Sequence, residues 1–167
     1  MRLSPLVLVF GLAASSMAVP GVSQRPDDQL APKSVALLKQ GEASAAAGKY
    51  ADADDAFETA LAVDPRNRAA FVAMARVAAK QKLYGQAIRY TNKALLLEPT
   101  DRSALAVQGQ AMVEIGAAGR AKDVLAKLQT LCAGTPCPEA ATLSASIARG
   151  PTLASAKPTE KAKTKTN

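Results

Sequence analysis

Small and apolar residues return along the middle of this chain with a period of 34 residues. Gly41, Ala75 and Gly109 share one position of that frame, and Ala53, Ala87 and Ala121 share another. Larger side chains fill two more positions, Leu37, Phe71 and Leu105 at the first and Phe57, Thr91 and Leu125 at the second. Within a frame the spacing is helical. Leu37, Leu38 and Gly41 lie on one face, as do Ala53, Phe57, Ala60 and Leu61 further on. Gly48-Lys49 separates the two stretches and Asp64-Pro65 stops the second, so each frame predicts a pair of helices. The frames run over 34–67, 68–101 and 102–135. A fixed period of this length signals a solenoid, whose units cannot bury their apolar faces alone and must stack on neighbours.

The recurring small residues mark places where helices touch closely, because a bulky side chain there would push them apart. Thr91 breaks the rule for its position, and the neighbouring Tyr90 is expected to supply the missing volume. After the third frame, Ala140, Leu143 and Ile147 recur at helical spacing and predict a capping helix from about Pro138 to Ala148, within the segment 136–149. Proline suits a first helical turn because its missing N–H would be unpaired there anyway. Gly150-Pro151 ends this helix. The predicted fold class is therefore all-α, an α-solenoid of three helix pairs plus a C-terminal capping helix.

The ends of the chain read differently. Arg2, the apolar run Leu6 to Ala14 and the small-x-small site Ser16-Met17-Ala18 predict an export signal over 1–18, cut after Ala18. The run is shorter than the ~20 residues needed to span a bilayer core, so no stable membrane insertion is expected after cleavage. The predicted location is the periplasm or the exterior. Residues 19–33, with Pro20, Gly21, Pro26 and Pro32, read as a linker. Residues 150–167 read as a disordered tail, in which Lys157, Lys161, Lys163 and Lys165 face only Glu160. The tail carries much of a formal net charge of +7. No aromatics interleave with the lysines as a stacking platform for nucleic acid requires, so nucleic acid is not an expected partner.

These repeats resemble the tetratricopeptide repeat family. The motif is met by Gly41, Ala53, Tyr50 and Pro65 and again by Ala75, Ala87, Tyr84 and Pro99. The third frame keeps Leu105, Gly109, Ala121 and Leu125 but has Ala118 for the aromatic and Ala133 for the proline. The resemblance implies antiparallel helix pairs wound into a right-handed superhelix, with a concave face for peptides or protein segments. Its usual lining positions, carried onto this sequence, are Leu38, Glu42 and Ala45, then Val72, Arg76 and Lys80, then Ala106, Gln110 and Val113. The lysine-and-asparagine carboxylate clamp of chaperone-binding members is missing, since no asparagine occupies those positions.

Candidate chemistry is sparse. Cys132 and Cys137 enclose Ala133-Gly134-Thr135-Pro136, and an even cysteine count in an exported chain favours a structural disulfide, with two free thiols as the alternative. Asp52, Asp54, Asp55 and Glu58 cluster in the first turns of a helix, where negative charge favours the exposed N–H groups, and are read as an outward face and not as a metal site. The sequence contains no histidine, which excludes triads and His-ligated zinc. No cofactor and no metal are expected, and no enzyme. Two readings follow. The first is an exported adaptor that holds a partner's segment in the groove, as a monomer or a weak self-associator. The second is a structural protein that self-associates through the ends of its solenoid.

Overall fold

The computed structural model of the chain describes residues 29–152. They form seven helices and, among the described residues, no strand: α1 Pro32–Ala46, α2 Tyr50–Val63, α3 Arg68–Lys80, α4 Tyr84–Leu97, α5 Arg102–Glu114, α6 Ala118–Leu131 and α7 Pro138–Arg149. The expected export signal, most of the expected linker and the tail beyond Thr152 lie outside the described residues.

Helix α1 begins at Pro32, inside the segment read as a linker and ahead of Ser34. The proline occupies the first turn, and the Ala31 N–H donates to the Asp64 carboxylate at 2.9 Å, which fixes the entry of the chain. Arg66 beside Asp64, together with that Ala31 N–H, pulls the Asp64 carboxyl down to about 2. The stack then builds by pairs. α1 packs on α2, α3 on α4 and α5 on α6, the leading helices α3 and α5 touch, and α7 lies against both α5 and α6.

The small residues do what their recurrence predicts. A Cβ added at Gly41 would stand 2.4 Å from the ring of Phe57, which is fully buried, and one at Gly109 would stand 2.5 Å from the side chain of Leu143. Thr91 has no exposed surface, its hydroxyl donating to the Ile88 carbonyl at 3.0 Å, and Tyr90 packs against the neighbouring core residues. In the third repeat the filler changes place. Leu128 is fully buried where the first two repeats have Ala60 and Ala94, and Leu125 is correspondingly only half-buried.

The joints between repeats reuse one geometry with different chemistry. Asn67 caps α3 by accepting from the Ala70 N–H at 3.2 Å, while its amide donates at 2.8 Å to Ser34, whose hydroxyl in turn donates to the Ala60 carbonyl at 2.7 Å. One repeat later Asp101 caps α5 through the Ala104 N–H at 2.6 Å and pairs with Arg68, which holds the frame position of Ser34. At the third joint the acid is missing. There Cys132 and Cys137 are joined as a disulfide with a Cα–Cα separation of 5.7 Å, and Arg102 approaches the Cys132 sulfur at 3.8 Å.

The acidic cluster carries no metal geometry. Among the described residues no group of three or more His, Cys, Asp or Glu side chains is placed to hold an ion. Asp52, Asp55 and Glu58 are exposed, whereas Asp54 turns partly inward, and burial followed by the nearby Glu58 charge pushes its carboxyl up.

Candidate functional site

A cleft of about 630 Å³ opens between α3, α5 and α7. Arg76 and Lys80 reach it from α3, and Ala106 and Gln110 from α5. These four are residues that the repeat positions predict. The remaining expected positions fall elsewhere. Leu38 packs with Phe57 in the core of the first repeat, Val72 is buried against Ala94 and Ala104, and Val113 is only 1% exposed in the core of the third repeat. Glu42 is exposed and Ala45 partly buried on α1, away from the cleft. For Val72 and Val113 the physical reason is crowding, because a leading helix flanked by neighbours on both sides leaves only a narrow stripe free, whereas the α1 positions stand one repeat away from the cleft. On α5 that stripe passes through Glu114 and not through the adjacent Val113.

Helix α7 supplies a wall that the sequence reading does not include. Glu139, Thr142, Ser146 and Arg149 all line the cleft. The helix N-caps explain why. Asn67 and Asp101 are 34 residues apart, but Asp101 and Cys137 are 36 apart, so the loop closed by the disulfide carries two extra residues. Counted from its own cap, α7 is a further leading helix. Glu139, Thr142 and Ser146 take the places that Ser103, Ala106 and Gln110 have on α5. Ala140, Leu143 and Ile147 take the places of Ala104, Val107 and Ala111, which are buried on α5.

The cleft is polar at its edges and apolar at its floor. Ala79, Ala106, Val107 and Ala111 form the floor, with the cations Arg76, Lys80 and Arg149 and the carboxylates Glu114 and Glu139 around it. Glu114 is already engaged, since its Oε2 accepts from the Thr152 N–H at 2.9 Å and from the Thr152 hydroxyl at 2.5 Å. Gly150, at φ +76°, makes the turn that brings Thr152 back to α5, and a side chain there would be strained. The two cleft-lining hydroxyls of α7 are occupied by their own helix, Thr142 donating to the Pro138 carbonyl at 2.7 Å and Ser146 to the Thr142 carbonyl at 3.0 Å. Among the described residues that line the cleft, no nucleophile is paired with a base.

Residues 44–111 match a family model described as tetratricopeptide repeat. No curated protein matches the sequence. Among solved structures, the chain is similar to the first TPR of Spaghetti (RPAP3) bound to the HSP90 peptide SRMEEVD, at 21% identity over 72% of this chain and 97% of that one, with a TM-score of 0.65. It is similar to the Sgt2 TPR domain from Aspergillus fumigatus at 19% identity, 83% and 93% coverage and a TM-score of 0.64. The TPR2B domain of yeast Sti1 in its pHsp70 complex gives 19% identity, 71% and 98% coverage and a TM-score of 0.65. At these identities the likeness is one of fold. Taken with the 34-residue helix pairs and their small-residue contacts, it means that the chain has the fold of tetratricopeptide repeat domains, with residues 44–111 matching the repeat itself.

Proposed function

We propose that this chain is a non-catalytic adaptor of the cell envelope, holding a peptide or protein segment of a partner in the cleft between α3, α5 and α7. The observation that carries the reading is the cleft itself, an open trough with an apolar floor and cations on two facing walls. Similarly folded domains of RPAP3 and Sti1 were solved with Hsp-derived partners, which supports a peptide as the kind of ligand. The envelope location rests on the export-signal pattern of residues 1–18 and on the small-x-small site ending at Ala18.

Arg76 and Lys80 are exposed and lie on one wall. Reversing both to Glu is expected to leave circular dichroism and melting nearly unchanged, since exposed helix positions tolerate substitution within about 0.5 kcal/mol. Recovery of partners in a crosslinking pull-down from the native cells should fall sharply. Wild-type recovery by the double variant, with loss of recovery on substituting Lys161 and Lys163, would move the binding element to the tail.

A further inference from the structure

The surface opposite the cleft is formed by the trailing helices α2, α4 and α6, and its charges are segregated. Exposed side chains on α2 are acidic, with Asp52, Asp55 and Glu58. Exposed charges on α4 and α6 are mostly basic, with Arg89 and Lys93 on the first and Arg120 and Lys127 nearly one above the other on the second, while Asp123 takes the frame position of Arg89 and Lys122 lies on the other flank of α6. Lys93 and Lys127 hold the same frame position, so they project the same way from successive repeats. Both are anchored. The Lys93 ammonium stands 5.6 Å from the centroid of the Phe71 ring, and Lys127 donates to the Pro99 carbonyl at 2.8 Å.

Apolar side chains stand at the ends of the same two helices. Leu96 is 85% exposed, Leu97 44% and Leu131 37%, and Leu97 and Leu131 again share a frame position. A single exposed leucine is ordinary on a protein surface. Three of them at the ends of two neighbouring basic helices make a surface that offers charge and apolar insertion together. We propose that the outer face of α4 and α6 docks on an anionic bilayer surface, with Arg89, Lys93, Arg120 and Lys127 over lipid headgroups and Leu96, Leu97 and Leu131 entering the interface.

Two physical effects favour a lipid surface over an isolated acidic group. Each cation held near an anionic leaflet gains attraction that adds across the patch, and apolar side chains among the cations gain by leaving water. Lys93 and Lys127, already ordered by their contacts, lose less freedom on docking than free lysines do. The acidic α2 at the other end of the face would be repelled, which orients the solenoid and leaves the cleft on the opposite side accessible.

Cosedimentation of the mature protein with vesicles tests this, using phosphatidylcholine alone and phosphatidylcholine with about one third phosphatidylglycerol. Binding is expected on the anionic vesicles only, falling as salt is raised. Lys93→Glu with Lys127→Glu should lower it by about tenfold or more, and Leu96→Ser with Leu97→Ser by a comparable factor. These positions are exposed, so circular dichroism should match the parent. Replacing Lys161, Lys163 and Lys165 by Ala should leave most of the binding. The proposal is overturned if neither vesicle type is bound, if neutral vesicles bind equally, if both outer-face variants bind like the parent, or if the tail substitutions alone abolish binding.

Discussion

Lys82 stands where two related turns have glycine. The turns between leading and trailing helices place Gly48 at φ +74° and Gly116 at φ +80°, and Lys82 takes the same left-handed conformation at φ +62°. A side chain in that region crowds its own backbone, at a cost of about 1 kcal/mol or more that glycine avoids. Lys82→Gly is therefore expected to stabilise the protein by about 0.5–1 kcal/mol after the added freedom of the unfolded chain is offset, a rise of a few degrees in melting temperature. A melt showing no gain or a loss would mean that the lysine side chain makes a compensating interaction. The two glycine turns are legible in sequence because glycine announces them. Lys82 is not, since only the backbone angle shows that an ordinary residue is doing a glycine's task. Thr91 is a related case, legible as an anomaly but resolved only by the hydrogen bond to Ile88 that makes its burial tolerable.

At the scale of elements, α7 decides the shape of the cleft. It is held by Leu143 over Gly109 and by the Cys132–Cys137 bridge at its N-terminus. Closing so short a loop contributes about 2 kcal/mol in the chain-entropy model, enough to hold one helix but not to create the stack. Reduction should therefore speed amide exchange across α7 by about tenfold or more while α1 to α4 keep their protection, because stability in a solenoid is roughly a sum over neighbours. Unchanged protection in α7, or loss of protection throughout, would contradict this coupling. The buried stripe of α7 was legible from Ala140, Leu143 and Ile147. Its cleft-facing stripe was not, because two extra loop residues break the 34-residue count and only the position of the N-cap restores it.

At the scale of the stack, both of its ends lack, among the described residues, the side chains that would seat another unit. Counted from its cap, α7 has Ala141, Ala145 and Ala148 where α5 has Leu105, Gly109 and Met112, and all three alanines are exposed. On α1 the places of Ala70, Ala73 and Val77, which are buried in α3, belong to Ala36, Lys39 and Ala43, and these are exposed as well. Small and charged ends give little apolar area to a second copy, so the protein is expected to be a monomer, and light scattering at increasing concentration checks it. A concentration-dependent mass would instead favour the self-associating reading.

The periodic pattern by itself determined the helix pairs, their order and the close contacts, because a helix's buried face is a local property written at fixed spacing. The resemblance to the tetratricopeptide repeat family, not the pattern alone, named Arg76, Lys80, Ala106 and Gln110. What surrounds a helix is not local. Only the tertiary structure decided that Leu38, Val72 and Val113 pack inward, that Glu114 is tied to Thr152 and that α7 forms a wall, since each depends on how many neighbours a helix meets and on the length of the loop that delivers it. The separation of acidic α2 from basic α4 and α6 was present in the sequence throughout, but it became a surface only when stacking brought equal frame positions to one side.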